Sequence, residues 1–280
     1  MHARPLLGKG VRLSDAPSDG LRCFGGAEPG EVLATVERID EGDTEAWHDE
    51  WRGIAERLDR SANEASREGR VRTARGAYLR AHNYYRSAEF FLPAADPRRR
   101  PTHERSREAF RSGIELFEAP VERVEIPYEG TTLPGYLFAP EDAGGPRPTV
   151  VCLGGFDSLC EELYFLCGVP EALARGYAVL LFEGPGQGAP LRYEGLTARP
   201  DWEHVVGPVL DLLARHDTVD SARIGLIGVS FGATTRRGRR RSTIGSRRAS
   251  PSITCTTSGG RRLTSIPESP GRWRVRRTPS

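Results

Sequence analysis

Hydrophobic positions in the first part of the chain recur every three or four residues. Trp47, Trp51, Ile54, Leu58 and Ala62 form one series, and Val71, Ala74, Tyr78, Ala81, Tyr85, Ala88 and Leu92 a second. This spacing predicts two amphipathic helices whose apolar stripes face each other. A third, shorter helix is expected over 102–117, with Phe110, Ile114 and Phe117 on one side and DPRRRP (96–101) as the loop before it. The aromatic residues of this region are first of all helix-packing groups, although Trp47, Tyr84, Tyr85, Phe90 and Phe91 would also suit an aromatic ligand.

After Pro120 the period shortens. VERVEIPY (121–128) and TLPGYLFAP (132–140) bracket the turn EGT and read as a hairpin, and PTVVCLGG (148–155), YAVLLFEG (177–184) and ARIGLIGVS (222–230) are short apolar runs that end at small residues. Helix-length stretches, EELYFLCGVPEALARG and DWEHVVGPVLDLLARH, separate these runs. Strands alternating with helices imply an α/β fold with a parallel sheet covered on its faces. In such a sheet the chemistry belongs to the loops that follow the C-terminal strand ends.

Three of those loops carry candidate chemistry. Gly228-Val229-Ser230-Phe231-Gly232 follows the last apolar strand, and its glycines permit the tight strand-to-helix turn that would lift the Ser230 hydroxyl clear of the sheet. The backbone N–H of Phe231 would then face a developing oxyanion. Gly154-Gly155-Phe156-Asp157-Ser158 follows the strand VVCL, where a second oxyanion amide belongs; Phe156 is the expected donor and Gly155 the alternative. Asp157, Glu161 and Glu162 nearby are expected to be solvated acids at a helix start. The third loop, Glu183-Gly184-Pro185-Gly186-Gln187-Gly188, could suggest a phosphate cradle, but it is not G-x-G-x-x-G and Pro190 argues against an immediate helix. It is expected to be a structural loop beside the pocket.

Composition narrows the field. With 280 residues, 38% of them hydrophobic, the chain can build a sizeable core. The net charge of +2 conceals an uneven distribution: residues 234–280 hold 13 arginines and one acid, Glu268, while the first 233 residues carry 27 basic against 37 acidic groups. Lys9 is the only lysine, which suggests a GC-rich coding sequence. The five cysteines (23, 152, 160, 167 and 255) show no metal-ligand spacing, so neither a metal nor a disulfide framework is expected. No apolar run approaches the roughly 20 residues of a membrane span, and the N-terminus lacks a long apolar stretch. The expectation is a cytoplasmic protein with a small-molecule substrate, no membrane partner and no cofactor, with self-association left open.

Several longer motifs together carry a family resemblance. LRAHNYYRSAEFFLP (79–93), VERVEIPYEGTTLPGYLFAP (121–140), LGGFDSLCEELYF (153–165), RGYAVLLFEGPGQG (175–188), RPDWEHVV (199–206) and GVSFGA (228–233) resemble the α/β-hydrolases with an N-terminal helical cap. That group includes dihydroxypseudooxynicotine hydrolase, fungal hydrolases that shorten polyketide pigment precursors, and fermentation-respiration switch type esterases. The resemblance spans about 45–233. It implies a serine hydrolase acting on an ester, or on the C–C bond of a β-dicarbonyl-like substrate, with the helical segment as a lid. Ser230 would attack the carbonyl, a histidine would take its proton, an acid would orient that histidine, and two amides would hold the oxyanion.

One departure from the family bears on activity. The expected chain order is Ser, then acid, then His, yet all six histidines (2, 48, 82, 103, 204 and 216) precede Ser230, and the last aspartate is Asp220. The expected organisation is therefore a helical cap within 1–120, an incomplete α/β-hydrolase parallel sheet over 121–233 ending at the nucleophile turn, and a disordered Arg/Ser/Thr-rich tail over 234–280. The abrupt change in composition after Ala233 suggests a shift of reading frame. A nucleic-acid arm is the weaker reading of that tail. The competing functional reading is a non-catalytic remnant that binds a ligand or partner.

Overall fold

A computed structural model describes residues 24–142 and 144–229, and the backbone alone of 254–256, 262–269 and 272–277. The chain divides into two compact units, 1–117 and 118–280.

The first unit is helical. Four helices follow one another: α1 (Pro29–Val36), α2 (Thr44–Arg67), α3 (Val71–Glu89) and α4 (Arg99–Ile114). Asp43 caps α2 by accepting a hydrogen bond from the Ala46 N–H at 2.8 Å. The two long helices run antiparallel. Trp47 Nε1 donates to the Ser87 carbonyl at 2.7 Å near one end, and Tyr78 donates to Asn63 Oδ1 at 3.1 Å near the other. Trp47, Trp51, Ile54, Ala62, Ala74, Tyr78, Ala81, Tyr85 and Ala88 are all buried, as their spacing requires, while Val71 at the start of its series is exposed. Trp47, Tyr84 and Tyr85 are thus core groups here, whereas Phe90 is exposed.

Buried charges are paired within this unit. Glu89, fully buried, meets Arg86 at 3.1 Å and Arg99 at 3.6 Å, and Asp59 accepts from Tyr85 and Arg105. The third predicted helix begins at Arg99 rather than 102, so part of the expected DPRRRP loop is helical. Pro101 falls in the first turn, where an absent N–H removes no intrahelical bond. The pattern reading also missed α1, a short helix with Pro at its start.

The second unit is built on a mixed five-stranded sheet in the order β1-β2-β4-β3-β5. Its strands are β1 (Val121–Tyr128), β2 (Thr131–Phe138), β3 (Arg147–Leu153), β4 (Ala178–Phe182) and β5 (Val219–Gly228). The hairpin β1–β2 closes through Glu129-Gly130, with φ of 39° and 84°, a two-residue turn of the left-handed kind that suits the strand twist. β4, β3 and β5 are parallel. Between them lie α5 (Cys160–Leu166), α6 (Val169–Ala174), α7 (Gly188–Glu194) and α8 (Glu203–Leu213).

All five residues of β4 are buried, as expected for a strand covered on both faces. Val151, Leu153, Leu180, Phe182 and Leu226 join Val205, Val209 and Leu213 of α8 in one core cluster. From β3 the chain crosses to β4 on one side and then passes back to β5 on the other. The winding therefore reverses at β3, and crevices for ligands form beyond the C-terminal strand ends at such a point.

Among the described residues no helix is long and apolar enough to cross a membrane. Within 234–280, where disorder was expected, the described backbone forms β6 (Thr254–Thr256), β7 (Arg262–Ser269) and β8 (Arg272–Arg277), paired antiparallel as a separate sheet. Trp273 and Val275 alternate there with Arg272, Arg274 and Arg276, a period that suits a strand.

Candidate active site

The C-terminal ends of β3 and β5 lie side by side. Leu153 pairs with Gly228 in the parallel register, and the Val229 N–H donates to the Leu153 carbonyl at 2.9 Å. One strand leaves at Leu153 into Gly154-Gly155-Phe156, and its neighbour leaves at Val229 toward residue 230. Ser230 and Phe231 themselves lie outside the described residues. Phe156 is described, and its ring is exposed.

The loop after β3 is held from behind by the loop after β4. Gln187, buried, donates through Nε2 to the carbonyls of Gly154 at 2.9 Å and Gly155 at 2.8 Å, and its Oε1 accepts from the Gly184 N–H at 2.9 Å. Two carbonyls on one side and an N–H on the other allow only one orientation of this side-chain amide. Glu183, fully buried, accepts from the Cys160 N–H at 3.1 Å with one oxygen and from the Ala189 N–H at 2.8 Å with the other. The first of these is where α5 begins, immediately beyond the Gly154–Ser158 loop.

Glycine is needed where these groups come close to backbone. A Cβ on Gly188 would stand 2.0 Å from the Glu183 carboxylate, at a φ of +33°. A Cβ on Gly154 would stand 2.5 Å from Ser158 Cβ and 3.3 Å from Gln187 Nε2. The loop 183–188 thus serves as the expected structural loop, but α7 starts directly at Gly188, against the expectation from Pro190. Pro190 sits in the first turn, like Pro101, where it displaces no hydrogen bond.

The acids beside the loop are not all solvated. Glu161 is fully buried and accepts from the Tyr136 hydroxyl at 3.0 Å, while Asp157 is exposed, as expected. Cys160, Glu161 and Glu183 place ligand-type atoms within 4.8 Å of one another. However, both Glu183 oxygens already hold backbone amides, and one Glu161 oxygen holds Tyr136, so the cluster fits a buried clasp better than a cation site. Cys152 is not a competing nucleophile. Its thiol is hydrogen-bonded with Cys167 and fully buried, and both effects push it well above the ordinary thiol range.

Each described histidine has its own surroundings, and His204, at the start of α8, is exposed with Asp201 at 3.9 Å. His48, His82 and His103 are buried in the helical unit. His216 pairs with Glu122 at 2.9 Å just before β5, at the level of Arg147, where β3 begins. The length of β3, about 20 Å at the usual rise per residue, separates that level from Leu153. Gln187 and Glu183 were missed as site-building residues in the sequence. The available signal was two polar side chains in the glycine-rich loop that follows an entirely apolar strand.

Comparison with known proteins agrees with this architecture. A family profile described as Esterase FrsA-like matches residues 29–249. The chain is 44% identical over 228 residues to Hydrolase acrC of Aspergillus aculeatus, covering 74% of this chain and 53% of that protein. It is 45% identical over 219 residues to 20-hydroxy-prefusarin hydrolase FUS2 of Gibberella moniliformis, covering 75% and 52%. Among solved structures, 2,6-dihydroxy-pseudo-oxynicotine hydrolase is similar, with a TM-score of 0.67 and 28% identity over 77% of this chain and 59% of that one. The chain spans about half the length of the curated relatives it matches. On the profile match, the relatives and the parallel strands converging on one loop cluster, the chain belongs to the Esterase FrsA-like family of α/β-hydrolases.

Proposed function

We propose that Ser230 is the nucleophile of an acyl-transfer site at the C-terminal ends of β3 and β5, and that the site acts on an ester or on the C–C bond of a β-dicarbonyl-like, aromatic or polyketide-like small molecule. The observation that carries this reading is the Val229–Leu153 hydrogen bond, which sets Val229, the residue before Ser230, beside the strand end from which the Gly154–Phe156 loop departs. Hydroxyl attack on a carbonyl there would build negative charge within reach of main-chain amides, those of Phe156 and Phe231 being the intended donors. The relatives, which include a 20-hydroxy-prefusarin hydrolase and a 2,6-dihydroxy-pseudo-oxynicotine hydrolase, favour a carbonyl-bearing organic substrate over a phosphate ester.

No histidine follows His216 in this sequence, so Ser230 would work here without the base its family order calls for. The expected cost is on the order of 10⁴-fold in turnover, leaving what binding and the oxyanion amides supply. An activated aryl ester, whose leaving group needs no protonation, is the appropriate substrate for the test. Release of the phenol by the full chain above the level of Ser230→Ala supports the reading; equal rates overturn it. Reading the gene in its other two frames beyond codon 233 checks the missing partners, which should appear as strands ending in an acid and then a histidine.

A further inference from the structure

Gln187 is a buried side chain that makes three hydrogen bonds to backbone in two different loops. Both hydrogens of its Nε2 are spent, one on the Gly154 carbonyl at 2.9 Å and one on the Gly155 carbonyl at 2.8 Å. Those carbonyls belong to the peptide units whose N–H groups are on Gly155 and Phe156. A trans peptide is planar, and its C=O and N–H point in opposite directions. Holding the two carbonyls toward Gln187 therefore turns the Gly155 and Phe156 N–H groups away from it. The Ser158 N–H adds a weaker contact to the Gly155 carbonyl at 3.4 Å, whereas Gln187 grips both units.

We infer that Gln187 is a positioning residue that sets the direction of the two candidate oxyanion donors, Gly155 and Phe156, by fixing their peptide planes from behind. The inference rests on the acyl-transfer reading for its catalytic meaning, although the peptide orientation stands by itself. Glu183 assists by anchoring the far end of the same loop at the Cys160 N–H, and by tying α7 to it through the Ala189 N–H. The glycines at 154 and 188 allow the two loops to approach closely enough for these bonds to form. The role does not depend on which carbonyl compound is the substrate.

The test uses the full chain, Gln187→Ala and Gln187→Glu, with a fluorophosphonate probe whose phosphoryl oxygen occupies the oxyanion position. Loss of orientation should lower the maximal rate of Ser230 phosphonylation by about 10- to 100-fold. The probe concentration at half-maximal rate should change little, and the circular dichroism spectrum should be kept. Gln187→Glu should be at least as impaired as Gln187→Ala, because its carboxylate keeps the bond to Gly184 but faces two carbonyl oxygens with no hydrogen to give. A role limited to stability would instead lower the amount of folded protein and leave the rate per folded molecule unchanged. Wild-type rates in both variants overturn the inference and leave the hydrolase reading standing.

If the wild-type chain takes no label at Ser230, the hydrolase reading fails, and amide NMR of the full chain decides the inference alone. Large ¹⁵N and ¹H shifts confined to Gly155, Phe156 and Gly184 in the variants would support the peptide clamp, and unchanged shifts at those residues would overturn it.

Discussion

The carboxylates buried in the two units are held in different ways. In the helical unit Glu89 meets Arg86 and Arg99, and Asp59 accepts from Tyr85 and Arg105, although His48 and Asn83 there bond backbone carbonyls. In the sheet unit Glu161 accepts from the Tyr136 hydroxyl, and two other buried side chains engage loop backbone. Glu183 holds the amides of Cys160 and Ala189, and Gln187 holds two carbonyls and an amide. A side-chain pair between two helices specifies how they pack. A side chain bonded to loop backbone specifies where that loop's own N–H groups point, which is what a reaction centre built from main-chain amides requires.

That contrast can be broken at several points, the largest effect first. Phe182 ends the fully buried strand β4, so Phe182→Ala should cost ~3–5 kcal/mol in chemical denaturation through its cavity. Glu89→Ala would leave Arg86 buried without its carboxylate, and with Arg99 partly exposed the loss should be near the lower end of the usual range, about 3 kcal/mol. If Glu89→Ala proves neutral in the same denaturation experiment, pairing is not what stabilises the helical unit. Gly188→Ala should cost roughly 1–3 kcal/mol from its backbone angle alone. It should also displace the Glu183 carboxylate, which would appear as faster hydrogen exchange at the Cys160 and Ala189 amides.

The smallest effect compares one surface clamp from each unit. Arg98 grips Asp96 through two nitrogens at 3.0 and 2.7 Å, and Arg199 grips Asp201 likewise at 2.7 and 2.8 Å. The hydrogen bonds from each guanidinium hold its aspartate down to about 2. A carboxyl depressed in the folded state contributes stability that is present above its ordinary value near 3.8 and is lost as the pH falls through about 2. Arg98→Ala should return Asp96 to the ordinary value, together with Glu45, which the same guanidinium lowers, and Arg199→Ala should return Asp201, as read from carboxyl resonances during an acid titration. Movement of either aspartate in the other variant would contradict the assignment.

The sequence made the apolar skeleton legible. The stripes of α2 and α3, the β1–β2 hairpin and the alternation of strand and helix all follow from where Trp, Ile, Leu and Val recur. First-turn prolines hid two helix starts: Pro101 and Pro190 both read as breaks, yet each occupies a position with no intrahelical N–H bond to lose. Glu161 read as a solvated helix-start acid because charge predicts exposure, and the Tyr136 hydroxyl that accompanies its burial comes from β2, 25 residues earlier. Gln187 was legible as a residue and not as a function, since its partners at Gly154 and Gly155 are glycine backbone more than 30 residues away and leave no trace in side-chain patterning. Of the candidate site, the loop after β3 could be read from sequence, and the side chain that bonds its carbonyls could not.

The central claim is that the acyl-transfer site sits where β3 and β5 end, with Ser230 as its nucleophile. Peptide mapping by mass spectrometry after exposure of the full chain to a fluorophosphonate tests it most directly. The account predicts a single adduct on Ser230 that disappears in Ser230→Ala. A folded chain that takes no adduct, or takes it at another residue with Ser230 unmodified, would contradict it.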